Sequence, residues 1–186
     1  MNENKPSPFT HLFNYGAICG LVMFLIFFIL WIIGVFPLGT ESIYFFWIPL
    51  VFMYIATKTL RDYFFNGTIH YWGAFKAQML IVSSYALLYV LLLYIFGKVI
   101  YTNFTNDYIQ TYLHELDISK DGLRQLLGQK YSDYEDQIIE EVSKTTLSSI
   151  AFKEYFNKIL SGAFFALLMS FKLKRTNPIP HVASKS

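Results

Sequence analysis

The sequence has a single cysteine, Cys19, and this scarcity excludes a disulfide framework and any metal site built from paired cysteines. Cys19 lies inside an apolar run, where a free thiol behaves as a small apolar side chain, so we interpret it as a packing residue. The four histidines stand in separate polar segments without paired metal-ligand spacing, and no phosphate-binding glycine loop is present. The sequence therefore predicts no cofactor, no metal and no enzymatic activity.

Charge is also scarce, since only 15% of the 186 residues are charged while 54% are hydrophobic and 19% aromatic. The 15 Lys and Arg residues nearly balance the 13 Asp and Glu residues, so no strong positive field indicates a nucleic-acid partner. So much apolar surface requires a lipid solvent. The composition predicts a membrane protein, and the apolar spans described next predict the all-α, polytopic class.

Four segments are candidate membrane spans, at about residues 15–36, 43–60, 77–97 and 147–171. The first and third are free of charge and long enough for a hydrocarbon core of about 30 Å at about 1.5 Å per residue. The second contains Pro49, which we expect to kink the helix, and it requires Lys58 to extend its ammonium group to the head groups.

The fourth span is the least regular, because its first turns contain Lys153, Glu154 and Lys158. Glu154 and Lys158 stand four residues apart with the acid first, the better orientation for a helical ion pair. Such a cluster of charges within a span is a hypothesis for a proton or cation relay. The alternative, which we prefer, is a neutralised pair at the outer interface.

Between the third and fourth spans, residues 101–146 have the polar character and the three- and four-residue apolar spacing of amphipathic helices. We therefore predict a four-helix transmembrane bundle over residues 1–176, with an extracytoplasmic helical segment at 101–146 and a disordered tail at 177–186.

The basic residues predict the orientation. Basic side chains flank the loop between the second and third spans and follow the fourth span. Residues 98–149 instead contain nine acidic and five basic side chains. Both termini are therefore expected in the cytoplasm, and the acidic segment on the opposite side of the membrane.

Two further groups of residues have a predicted role. Gly16 and Gly20 form a small-x-x-x-small pattern that permits close helix packing, within one bundle in preference to a dimer interface. A second group combines basic and aromatic side chains at the inner head-group level and is expected to contact lipid, as an anchor in preference to a specific lipid site. Its members are Lys58, Arg61, Trp72 and Lys76.

Several motifs together resemble a known family. They are Tyr15, Gly16 and Gly20, the K-T-L-R-D run at 58–62, Gly67 with Ile69, and the run W-G-A-F-K at 72–76. In their order and spacing they resemble domain of unknown function 4199, small bacterial inner-membrane proteins with four predicted helices and a polar segment before the last. The resemblance would cover about Phe9 to Lys174. It implies this architecture and a bacterial inner-membrane location, and it brings no activity.

Two functions remain open from the sequence. The first is a noncatalytic membrane protein that uses its acidic extracytoplasmic helices for interaction, with membrane lipids and either an envelope protein or further copies of itself as partners. The alternative is a small oligomeric transporter or channel that uses the Glu154 cluster, since four helices alone leave little room for a path.

Overall fold

The computed structural model describes residues 7–38, 45–127 and 131–176. Within them the chain forms six α-helices: α1 (Pro8–Ile32), α2 (Trp47–Thr59), α3 (Tyr71–Ile95), α4 (Phe104–Leu127), α5 (Tyr131–Ser143) and α6 (Leu147–Leu173). Short π-helical turns, Leu60–Phe64 and Phe96–Ile100, extend α2 and α3. No strand occurs in these residues beyond one isolated bridge, which confirms the all-helical prediction for them. The tail predicted to be disordered, 177–186, lies outside the described residues.

Glycine determines where α1 ends. Gly34 adopts a φ of 83°, and its N–H donates to the carbonyl oxygen of Trp31 while the N–H of Val35 donates to that of Leu30. These two bonds form a Schellman motif, which satisfies carbonyl groups that the helix end would leave without partners. The helix therefore stops at Ile32, four residues before the predicted end of the first span.

The second helix begins later than the predicted second span. Phe45 and Phe46 are outside the α-helix and α2 starts at Trp47, while Ile43 and Tyr44 are outside the described residues. Pro49 is therefore the third residue of α2, where its missing N–H would have no helical partner in any case. We expected Pro49 to kink the second helix within its span. It lies instead in the first turn of α2.

In the part of the chain that the structure describes, three stretches are long and apolar enough to cross a membrane: Pro8–Ile32, Tyr71–Ile100 and Leu147–Leu173. The 13 residues of α2 span about 20 Å at about 1.5 Å per residue, which is less than a hydrocarbon core of about 30 Å. Its π-helical extension to Phe64 lengthens the continuous helical segment.

The direction of each helix follows from its contacts. Gly16 of α1 lies against Ile81 and Ser84 of α3, and Gly20, one turn later, lies against Tyr85 and Leu88, so α1 and α3 run parallel. Gln78 of α3 bonds to Ser170 of α6, whereas Val82, one turn later in α3, lies against Gly162, two turns earlier in α6. Helices α3 and α6 are therefore antiparallel.

The chain divides into two compact units. Among the described residues, the first unit consists of 7–23, 46–89 and 155–176, and the second of 24–38, 45, 90–127 and 131–154. Helix α3 supplies six of the 14 buried core side chains of the first unit, more than α1, α2 or α6. The core of the second unit is aromatic, with Phe27, Phe96 and Phe104 at most 2% exposed.

Candidate functional site

The loop after α2 and the end of α6 are joined in the first unit by what we call the α6 clasp, formed by Arg61, Ile69, Tyr71 and Gln78. Arg61 Nη1 donates to the carbonyl oxygen of Leu173 at 3.3 Å, and Arg61 Nε and Nη2 donate to the carboxylate of Asp62 at 2.7 and 3.2 Å. A carbonyl at a helix end has no partner within its helix, and a cation there also complements the helix dipole. Arg61 therefore caps α6 while Asp62 balances its charge.

Backbone pairing and two further side chains complete the α6 clasp. Ile69 and Arg175 exchange two N–H···O bonds of 2.8 Å, and this extended pairing follows a turn in which Asn66 and Gly67 have positive φ. The hydroxyl of Tyr71 donates to the carbonyl oxygen of Leu167 at 3.3 Å. Gln78, fully buried, donates to the hydroxyl of Ser170 at 3.1 Å. Three of the four clasp residues thus lie in or beside the motifs that carry the family resemblance.

The four residues predicted to contact lipid head groups divide into two kinds. Lys58, Trp72 and Lys76 are exposed, and Trp72 is 62% exposed. The side chain of Arg61 is only 13% exposed, and all three of its nitrogen atoms donate within the protein. Arg61 therefore caps α6 in this structure, and its contact with a lipid head group stays a prediction.

The two glycines predicted for helix packing both face α3 of the same chain. A Cβ added at Gly16 would lie 2.6 Å from Ser84 Cβ and 2.7 Å from the carbonyl oxygen of Ile81. One added at Gly20 would lie 2.8 Å from the carbonyl oxygen of Tyr85. Real Cβ atoms do not approach other atoms so closely, so any larger residue would force α1 away from α3.

The two lysines of the predicted charge cluster each contact tyrosine side chains. Lys153 donates to the hydroxyl of Tyr108 at 3.1 Å, and its ammonium lies 4.9 Å from the ring centre of Tyr112, within the second unit. Lys158 lies 4.2 Å from the ring centre of Tyr89, within the first unit. Glu154 is partly buried. Both lysines therefore use tyrosine rings, as cation–π contacts stabilise an ammonium that has lost part of its water.

Beside Lys153 the second unit contains a cavity of about 410 Å³. Its wall is formed by α4, α5 and the first two turns of α6, and its polar groups include Tyr108, Tyr112, Glu141 and Lys153. Sequence reasoning singled out Lys153 and missed the others. The available signal was the spacing of Tyr108 and Tyr112, which places two aromatic rings on one face of a helix.

The surface of α4 and α5 is acidic. Five exposed carboxylates lie on the two helices: Asp117, Asp121, Asp136, Glu140 and Glu141. A salt bridge of 2.8 Å between Lys120 and Glu135 joins α4 to α5. Ile118 is 70% exposed beside Asp117, so an apolar side chain lies within the acidic surface. We call α4, α5 and this surface the acidic hairpin.

At the start of the acidic hairpin, the hydroxyl of Tyr101 donates to the carboxylate of Asp107. This hydrogen bond, with some desolvation and the negative charge of Asp107, raises the pKa of the Tyr101 phenol. The bond ties the connection after α3 to the first turn of α4.

The model of a protein family described as "Protein of unknown function (DUF4199)" matches residues 14–175. No curated protein and no solved structure gives a significant match. The matched range includes the α6 clasp, the acidic hairpin and the cavity beside Lys153.

Proposed function

Because the chain belongs to the DUF4199 family, described as being of unknown function, we propose from its geometry that it is a noncatalytic membrane protein whose acidic hairpin binds a partner protein. Its apolar helices are compatible with a membrane protein. The observation that carries the proposal is the concentration of nine of the 13 acidic residues in the segment containing α4 and α5.

The helix directions support four membrane crossings. Two parallel helices in one membrane, such as α1 and α3, require the chain to return between them. Helix α2 with its π-helical extension is the described helix that lies between them in the chain. Since α6 is antiparallel to α3, the acidic hairpin is then on the side where α3 ends.

The basic residues support the orientation with both termini in the cytoplasm. Lys58 and Lys76 flank the loop after α2, and Lys172, Lys174 and Arg175 follow at the end of α6. Basic residues near span ends remain on the cytoplasmic side. In a bacterial inner membrane, which the family resemblance implies, the acidic hairpin would lie in the periplasm, where envelope proteins could reach it.

A partner that recognises this surface should carry basic side chains around an apolar pocket, because Ile118 is exposed between Asp117 and Asp121. The carboxylates would raise the rate of association, and the side chain of Ile118 would be buried at the centre of the interface.

Site-specific photocrosslinking in cells tests the proposal. A photoreactive side chain at Ile118 should yield a protein adduct of defined mass, and the double change Asp117→Asn with Asp121→Asn should lower its yield several-fold. The same probe at Leu160, which is 62% exposed on α6, should give no such adduct. Equal yields at both positions, or a yield at Ile118 unaffected by the neutral substitutions, would contradict the proposal.

The same experiment distinguishes the transporter alternative from the interaction role. An adduct between two copies of the chain indicates a homo-oligomer, and if that oligomer transports an ion, Glu154→Gln should abolish the transport. An adduct with a different protein, together with an unaffected Glu154→Gln variant, supports the interaction role.

A further inference from the structure

The cavity beside Lys153 has the size of a small-molecule site and is lined by side chains of both charges, Lys153 and Glu141. Its volume, about 410 Å³, falls within the range of roughly 300 to 1,000 Å³ typical of ligand pockets. Its lining also includes the apolar side chains of Ile138, Val142 and Ile150. A ligand that fills it therefore needs polar groups of both charges and some apolar or neutral surface.

Lys153 and Tyr108 present hydrogen-bond donors to an anion. An ammonium group has three N–H donors, and the bond from Lys153 Nζ to Tyr108 uses one of them. Because the Tyr108 oxygen accepts that bond, its own O–H proton can be donated elsewhere. The ring of Tyr112, 4.9 Å from the ammonium, holds it in place. A phosphate group accepts several such charge-assisted bonds at once.

Glu141 presents an acceptor. It lines the cavity from α5, and in the part of the chain that the structure describes its carboxylate makes no hydrogen bond or ion pair. An anion alone would be repelled by this carboxylate, whereas a ligand with its own ammonium group would be attracted. The two charged groups together therefore select a zwitterion with an anionic group and a primary amine.

The position of the cavity indicates which zwitterion. Lys153 is the seventh residue of α6, a helix long and apolar enough to cross a membrane, and the adjacent Phe152 is 70% exposed. A charged residue near the end of such a helix lies at head-group level. We propose that the cavity binds a phosphoethanolamine group, with the phosphate at Lys153 and Tyr108 and the amine at Glu141. Its source is an ethanolamine phospholipid or free phosphoethanolamine.

Native mass spectrometry of the full chain in detergent tests the proposal with ethanolamine, glycerol and choline phospholipids added separately. The unmodified chain should bind the ethanolamine lipid most tightly, since its primary amine can donate hydrogen bonds to Glu141 and the choline group cannot. Lys153→Met should weaken that binding by roughly tenfold, the usual effect of a lost charge-assisted hydrogen bond. Glu141→Gln should remove the preference for ethanolamine over glycerol lipid.

Two controls make the result specific. Lys144→Met changes an exposed lysine that pairs with Glu140 outside the cavity, so lipid binding should not change. Tyr108→Phe keeps the ring and removes one donor, and it replaces Lys153→Met if the latter lowers the melting temperature. Displacement of the lipid by free phosphoethanolamine identifies a soluble source, and failure to displace it identifies the phospholipid. Equal losses in Lys153→Met and Lys144→Met, or an unchanged preference in Glu141→Gln, would overturn the proposal.

Discussion

The two compact units are stabilised by opposite kinds of packing. In the first unit, α1 approaches α3 through Gly16 and Gly20, where there is no room for even one added carbon atom. In the second unit, the contacts are made by large rings. The ring centre of Phe96 lies 5.0 to 6.2 Å from those of Phe27, Trp31 and Phe104. Close backbone approach is the usual basis of helix association in lipid, and large buried aromatic side chains are typical of water-soluble cores. Each unit is therefore stabilised by a different kind of side-chain contact.

The largest expected effect is in the aromatic core. Phe96 is fully buried, so Phe96→Ala should lower the free energy of unfolding by about 3 to 5 kcal/mol, through lost apolar burial and the cavity that remains. Unfolding in mixed detergent micelles measures it. Leu91→Ala, at a 53% exposed position of the same helix, is the control and should have a small effect. If both changes cost the same, the aromatic core does not stabilise the second unit.

The next effect is a steric one. Gly16→Ala should cost about 1 to 3 kcal/mol, because the new Cβ would overlap Ser84 and the Ile81 backbone. Gly122→Ala in α4 is the matched control, since a Cβ there meets no atom within 4 Å. It should stabilise the chain by about 0.5 to 1 kcal/mol, as alanine does in a helix. The same unfolding experiment gives the change in the free energy of unfolding for both variants. Changes of the same sign would contradict the steric role of Gly16.

A smaller, local effect is expected at the α6 clasp. Arg61→Gln leaves Asp62 and the Leu173 carbonyl group with fewer partners and should cost about 1 to 2 kcal/mol. Faster hydrogen exchange at the amide groups of Ile69 and Arg175, which pair with each other, would show that the loss is local. Lys58→Gln, an exposed neighbour, should leave that exchange unchanged. Unchanged exchange in Arg61→Gln would show that Arg61 does not hold the clasp.

The smallest effect is expected at alkaline pH. The pKa of Tyr101 is raised in the folded chain by its bond to Asp107, so the bond contributes stability below the ordinary pKa of tyrosine. That contribution is lost as the pH rises through the folded-state pKa. Tyr101→Phe should therefore lose less stability between neutral and alkaline pH than the unmodified chain. Parallel melting curves at the two pH values test this, and identical pH dependence would exclude the role of Tyr101.

Apolar length and helical periodicity predicted much of this fold. They predicted the all-helical class and the small-residue pattern at Gly16 and Gly20. Both features are patterns among residues that are close in sequence. The hydrogen bond from Arg61 to the Leu173 carbonyl group was not predicted, because the two residues are 112 positions apart in sequence. The cavity was missed for the same reason, since Tyr108, Glu141 and Lys153 come from three different helices.

The residues at which the helices begin and end depend on local backbone conformation. The end of α1 is set by the positive φ of Gly34, and the start of α2 places Pro49 in a first turn where proline is tolerated. A hydropathy pattern reports where apolar residues lie and does not distinguish such a turn from a kink within a helix. The apolar runs therefore predicted the presence of the first two helices more accurately than the residues at which they begin and end.

Cysteine labelling tests the central claim, four crossings with the acidic hairpin opposite both termini. In a Cys19→Ala background, single cysteines replace Asp121 in α4, Lys174 after α6, and Thr10 at the start of α1. A membrane-impermeant reagent added outside intact inner-membrane spheroplasts should label Asp121→Cys only, and the other two should react only after the membrane is opened. Labelling of Thr10→Cys and Lys174→Cys from opposite sides would indicate an odd number of crossings and contradict the account.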